Sequence, residues 1–347
     1  MPRTGDLFSH RPSPADRLAA SWHHLFRVLT QLGRYRVDQL LARGGMGEVY
    51  LGRIIGEHGF ERPIVIKVIR TELLTDERVA LMFVDEARIA AGLHHRNIVQ
   101  TIDFDVFDSG AFLVSEHVDG CDLRTLLKYL RAPPRYDIAV SIIAEVATGL
   151  DAAHDACGED GHALQLVHRD VSPSNVLLGI HGEVKVADFG VAKARSRSYH
   201  TVSNTLKGKA PYMAPEQILG EAIDRRADVF ALGVLLYETT TRTRLYSASS
   251  NAVAMRQILD GEVPDPATRR PGYPAELAAI ARKALARDPN QRYQTARALV
   301  DDLDQLAHAK RWTLSRTPIG DLVRVVRERV AAEPLGPTPH NLPPVPS

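Results

Sequence analysis

The chain of 347 residues is poor in cysteine, with only Cys121 and Cys157. Two thiols cannot build a disulfide framework, and they fit a reducing compartment better than a secreted one. It also lacks an excess of either charge: 43 Lys plus Arg against 42 Asp plus Glu leave a net charge of +1. That balance gives no field to steer nucleic acid or an anionic membrane, so any anion must be gripped locally. No apolar run approaches the roughly 18 to 20 residues that cross a bilayer, and the opening MPRTGDLFSHRPSP has no apolar signal core. A cytoplasmic protein with neither a nucleic-acid nor a membrane partner is expected. There is no internal repeat and no GxxxxGK[ST] segment, which disfavours a Walker-type NTPase.

The composition, 44% apolar and 24% charged, is that of an ordinary globular chain long enough for two lobes. Residues 1–33 read as an N-terminal extension that includes the amphipathic stretch SWHHLFRVLTQL. The runs YRVDQLLA, EVYLGRII and PIVIKVIR, broken by glycines, predict three antiparallel strands. Val79, Met82, Phe83, Ala87 and Ala90 then recur at helical spacing after Thr75, a candidate N-cap. NIVQTIDFDV and AFLVSEHV complete a five-stranded sheet. Helical periodicity follows at about 122–131, 137–157, 225–241, 249–260, 275–286 and 294–309, with 158–224 more irregular. TPIGDLVRVVRERVAAE predicts an accessory helix within 309–332, and residues 333–347 form a Pro-rich tail.

Several features could carry chemistry, and each has a plainer alternative. Gly44 and Gly47, in LARGGMGEVYLG, stand at a strand-to-strand turn where backbone N–H groups can approach phosphate oxygens, though such a turn is also simply a turn. Lys67 sits mid-strand in PIVIKVIR; facing inward it needs a partner such as Glu86, facing outward it is unremarkable. In HRDVSPSNVLL, Asp170 and Asn175 can aim a carboxylate and an amide at one phosphate and metal cluster. Asp188, before the Phe-Gly pair of VKVADFGVAK, suits a carboxylate at a strand end or a common turn. Their order and spacing together decide between these readings.

On these motifs the chain resembles the eukaryotic-type (Hanks-type) protein kinases, in particular the bacterial serine/threonine kinases, over about residues 34–308. The resemblance implies the α+β bilobal kinase fold. A small five-stranded antiparallel lobe with one helix, about 34–118, would precede a larger helical lobe, about 119–308, and ATP would bind between them. It implies that Gly44, Gly47 and Val49 cover the nucleotide, that Lys67 contacts its α and β phosphates, and that Glu86 holds Lys67. Asp170 accepts the substrate hydroxyl's proton, while Asn175 and Asp188 hold magnesium. Backbone groups of Glu116 and Val118 bond adenine, with Leu41 and Val49 above it and Leu177 below. Ser115 takes the gatekeeper position, Glu216 and Arg292 form the scaffold pair, and Asp228 braces the catalytic loop.

Four positions depart from the family pattern. Ala42 replaces the first loop glycine, Val65 an alanine, Ser172 the catalytic-loop lysine and Lys209 the threonine beside the catalytic aspartate. In the family's fold the last two sites both adjoin that aspartate, so Lys209 can replace the missing charge; alternatively it is solvent-exposed and tunes substrate choice. Arg169 implies an activation segment ordered by phosphate, aided by Lys193, with Ser196, Ser198, Thr201, Ser203 and Thr205 as candidate autophosphorylation sites. Autophosphorylation in turn implies transient self-association. The activity expected is ATP- and Mg2+-dependent phosphorylation of Ser and Thr on protein substrates; the alternative is a pseudokinase or nucleotide-binding scaffold.

Overall fold

In the computed structural model the described residues are 31–43, 47–69, 87–107, 110–158, 160–189, 209–246 and 250–333. Gly44, Thr75, Val79, Met82, Phe83, Glu86, Lys193 and the five candidate phosphorylation sites lie outside them, as do residues 1–30 and the tail from 334. The chain divides into two compact units, one of Met1–Thr71 with Phe104–His117 and one of Glu72–Asp103 with Val118–Ser347.

The first unit is built on an antiparallel sheet. The strands of that sheet are β1 (Gln31–Leu32), β2 (Tyr35–Arg43), β3 (Gly47–Ile55), β4 (Glu61–Ile69), β5 (Thr101–Phe107, in this unit from Phe104) and β6 (Gly110–Glu116), in the order β1-β2-β3-β4-β6-β5. The five expected strands are present. The two-residue β1 adds a sixth, so the sheet begins within the stretch read as an extension, with Leu32 opposite Tyr35. β-Branched residues suit a pleated, half-buried surface, and in β4 they alternate: Ile64, Ile66 and Val68 are buried, while Val65 and Lys67 are only half-buried. Direct pairing puts Val49 opposite Lys67 and Ser115 opposite Val65, so these four side chains share one face of the sheet. Gly47 is required by packing, because a Cβ there would lie 1.8 Å from the Val68 carbonyl oxygen.

The second unit is mainly helical: residues 87–92 are helical, followed by α1 (Leu123–Tyr129), α2 (Tyr136–His154), α3 (Pro215–Leu219), α4 (Arg226–Thr241), α5 (Asn251–Asp260), α6 (Ala275–Ala284), α7 (Ala296–Lys310) and α8 (Thr317–Ala332). Side-chain caps set several starts. Asp122 accepts from Thr125 N–H at 2.7 Å, and Thr295 accepts from Ala298 N–H at 3.1 Å. Helix α4 is buried almost all round, the mark of a core helix, and α2, α6 and α7 pack around the same core. No described helix is long and apolar enough to cross a membrane.

A second small sheet lies within this unit. Its strands β7 (Gly120–Asp122), β8 (Val176–Gly179) and β9 (Val184–Val186) run antiparallel in that order. The run NIVQTIDFDV is not one strand. Val99 N–H donates to Val186 O at 2.9 Å and Val186 N–H to Asn97 O at 2.8 Å, so its first residues bond beside β9, and β5 starts only at Thr101. Accessory helix α8 docks at Gly320, where a Cβ would meet the Ile180 carbonyl oxygen at 2.6 Å. Its flanking Arg316 reaches Glu145 at 3.1 Å, and Arg327 pairs with Asp119.

Candidate active site

The site is built on the loop His168–Asn175, which runs through the short 3-10 turn Pro173–Asn175 into β8. A buried carboxylate at the start of α4 fixes the loop's backbone. Asp228 accepts from His168 N–H at 2.8 Å, from Arg169 N–H at 2.9 Å and from His154 Nε2 at 2.8 Å. Burial alone would raise the Asp228 carboxyl, but the bond from His154 and these further donors hold it below its ordinary value. Arg169 is thereby kept in the left-handed conformation, at φ 62°, unfavourable for a residue with a Cβ.

Around His168 the hydrogen bonds specify one tautomer. Its Nε2 donates to the Ala187 carbonyl at 3.1 Å, and its Nδ1 accepts from Asp170 N–H at 3.3 Å. Burial pushes this imidazole below its usual range, so it stays neutral, and it packs against Phe189 with ring centres 4.6 Å apart. The ring therefore ties the catalytic-loop aspartate to the segment that carries Asp188.

Asn175 is buried and donates through Nδ2 to the Asp170 carbonyl at 2.8 Å, which leaves its Oδ1 as an acceptor. Ala187 N–H donates to the Asn175 carbonyl at 2.8 Å, and Asp188, the residue after Ala187, has a left-handed φ of 58°. Asn175 and Asp188 offer two oxygen donors, a set suited to a hard cation that brings its other ligands as phosphate oxygens and water. Among the described residues no cluster of three or more His, Cys, Asp or Glu side chains could hold a metal unaided.

The position of lysine is the unusual feature. Ser172 is 2% exposed, and its hydroxyl faces that of Ser174 at 3.4 Å. The ammonium of Lys209 instead contacts the Asp170 carboxylate, from the residue just before the 3-10 turn Ala210–Tyr212. One carboxylate, one ammonium and two oxygen donors at the edge of the loop form an arrangement that can orient a hydroxyl and bind a polyphosphate with its cation.

Comparison with known proteins agrees with this geometry. The protein kinase domain family matches residues 35–303. The chain belongs to the protein kinase family. It is 41% identical over 294 residues to the tyrosine-protein kinase MasK of Myxococcus xanthus, covering 84% of this chain and 46% of MasK. It is 36% identical over 277 residues to the serine/threonine-protein kinase PknB of Mycobacterium tuberculosis, covering 78% of this chain and 42% of PknB. The chain thus spans less than half the length of these relatives. The crystal structure of the Mycobacterium tuberculosis PknI kinase domain superposes with a TM-score of 0.58 at 28% identity, covering 79% of this chain and 96% of that one.

Within this kinase fold the second unit brings Asp170, Asn175, Lys209 and the Asp188 segment together through the bonds described. Leu177 differs from its neighbours on β8, being half-buried where Val176 and Leu178 are buried. In the first unit Val49 and Lys67 share a sheet face, whereas Leu41 is 48% exposed on β2 and Glu116 ends β6. Val118 falls in the second unit, just before β7. The scaffold pair is present: Arg292 bonds Glu216 twice, at 2.7 and 2.8 Å.

Sequence reasoning missed His154, which has no spacing signal because its partner lies on another helix. It also missed Gln217, whose Oε1 accepts from Ala214 N–H at 2.9 Å and whose Nε2 donates to the Arg169 carbonyl at 3.0 Å. A Gln three residues after a helix N-cap is a readable capping signal, but the second bond, to the catalytic loop, is not written in the spacing.

Proposed function

We propose that the chain is an active serine/threonine protein kinase whose kinase domain spans about residues 34–308 and whose catalytic-loop lysine has been replaced by Lys209. The observation that carries this reading is the contact between the Lys209 ammonium and the Asp170 carboxylate, made where Ser172 offers no charge. Asp170 accepts and orients the acceptor hydroxyl as its oxygen attacks the γ-phosphorus of ATP. The bond to the ADP oxygen breaks, and the hydroxyl proton leaves by way of the Asp170 carboxylate. Lys209 stabilises the charge spread over the transferring phosphoryl oxygens.

In the same reading Gly44, Gly47, Val49, Leu41 and Leu177 enclose the nucleotide, and Glu116 and Val118 bond adenine. Lys67, held by Glu86, contacts the α and β phosphates. Asn175 and Asp188 hold magnesium, which offsets the triphosphate's charge when bound. Autophosphorylation of the segment after Asp188 requires transient self-association.

Ser and Thr are favoured as acceptors because the catalytic loop lacks the alanine and arginine pattern of tyrosine kinases and because PknB is named a serine/threonine kinase. Tyrosine is the second reading, favoured by the likeness to MasK. Incubation with magnesium and γ-labelled ATP beside an Asp170→Asn control, followed by phosphoamino-acid analysis, separates them. Phosphoserine or phosphothreonine absent from the control is the expected result. Phosphotyrosine alone would replace the acceptor assignment, and nucleotide binding without transfer would leave a scaffold.

A further inference from the structure

The turn that begins at Lys209 ends at Tyr212; Arg244, from another part of the chain, stands against it, and the charge of Arg124 also reaches it. Arg244, shortly after the end of α4, places its guanidinium carbon 5.9 Å from the centre of the Tyr212 ring. Arg124 lies in the first turn of α1. Burial raises the Tyr212 hydroxyl far above its usual range, and the charges of Arg244 and Arg124 both oppose that rise, so both act at this turn. Both arginines are exposed, and among the described residues neither forms an ion pair.

The nearby carboxylates spend their hydrogen bonds elsewhere, although the charge of Arg244 also acts on Glu238, opposing the rise that burial causes there. Glu238 is buried, accepting from Tyr212 O–H at 2.7 Å and Leu245 N–H at 3.1 Å, and Asp122 caps α1. Nor does the sequence leading into the turn supply a counter-charge: from Gly190 to Met213 it contains Lys193, Arg195, Arg197, Lys207 and Lys209 but no Asp or Glu. Lys209 pairs with Asp170, but Arg124 and Arg244 add exposed positive charge at a turn whose own sequence supplies no carboxylate.

An acceptor hydroxyl that reaches Asp170 brings its own chain past Lys209 and Tyr212. Extended peptide advances about 3.3–3.6 Å per residue, so side chains within a few positions of the acceptor fall beside this turn. We propose that Arg124 and Arg244 are specificity-determining residues that select acceptor segments carrying Asp or Glu close to the phosphorylated hydroxyl. The inference rests on the protein-kinase reading for the position of the acceptor, and on charge for the choice of sequence. At physiological salt the Debye length is about 8 Å, so the selection is short-ranged and weakens as salt rises.

The test uses the full chain, treated with phosphatase so that no phosphate of its own competes. Three fluorescein-labelled peptides carry one serine flanked by aspartate, by alanine or by lysine, and binding is followed by anisotropy. The aspartate peptide is expected to bind about tenfold tighter than the alanine peptide, the sum of two exposed charge pairs. Arg124→Glu with Arg244→Glu should move the preference to the lysine peptide and leave ATP affinity and melting temperature unchanged. The same order of peptides in the double variant as in the wild type, or a wild-type preference for lysine, would overturn the assignment. Transfer to the same peptides is read separately. Aspartate-selective binding without transfer keeps the surface and removes the kinase reading, whereas transfer indifferent to flanking charge does the reverse.

Discussion

Two carboxylate–cation pairs involve the same short stretch of chain around α3, and they are built differently. Glu216 and Arg292 have side chains only 5% and 0% exposed, and Arg292 spends all five N–H donors: two on Glu216 and the others on the carbonyls of Ala286, Arg226 and Arg287. Asp170 and Lys209 make one contact, with the lysine side chain 35% exposed. A closed, fully bonded pair can only hold the fold together. A pair left partly in water can exchange partners, which the role proposed for it, meeting phosphate and an acceptor hydroxyl, requires.

If that contrast is right, substitutions on the closed side should act on stability and those on the open side on rate. The largest stability effect is expected from Arg292→Ala, which strands the buried Glu216 carboxylate and three carbonyls; urea unfolding should show a loss of about 3–5 kcal/mol. Gln217→Ala removes the cap of α3 and the bond to the Arg169 carbonyl, and the same measurement should give about 1–3 kcal/mol. That loss should come with a slower kcat, since Arg169 immediately precedes Asp170. The smallest effect is expected from Arg327→Ser on α8, whose pair with Asp119 is about half-exposed on both sides. It should cost less than about 1 kcal/mol and vanish at high salt. A large loss there would mean that α8 is held by that pair and not by the close approach at Gly320.

Much of this was legible in the sequence, for physical reasons. Helix α2, expected at 137–157 and found at Tyr136–His154, carries enough turns for its apolar period to show. Strand β4 shows through its nearly continuous β-branched run, Ile64, Val65, Ile66, Val68 and Ile69. The three-residue strands β7 and β9 have no period to read, and the run from Asn97 reads as one strand because an apolar run does not say which partner each part will bond. In the site, Asp170, Asn175 and Asp188 stand in motifs whose spacing is local. His154 and Gln217 act through partners far along the chain, and only the folded backbone brings them together. Lys209 could be singled out because two departures from one pattern, a lysine lost and a lysine gained, meet at one aspartate.

The most direct test of the central claim, that Lys209 supplies the charge absent at Ser172, is the kcat of Lys209→Thr beside that of the double variant Ser172→Lys, Lys209→Thr, with unfolding followed for both. The account predicts that the single variant loses on the order of 10²-fold in kcat, with stability changed by less than about 1 kcal/mol, and that the relocated lysine restores most of the rate. A Lys209→Thr enzyme that turns over at the wild-type rate would contradict it.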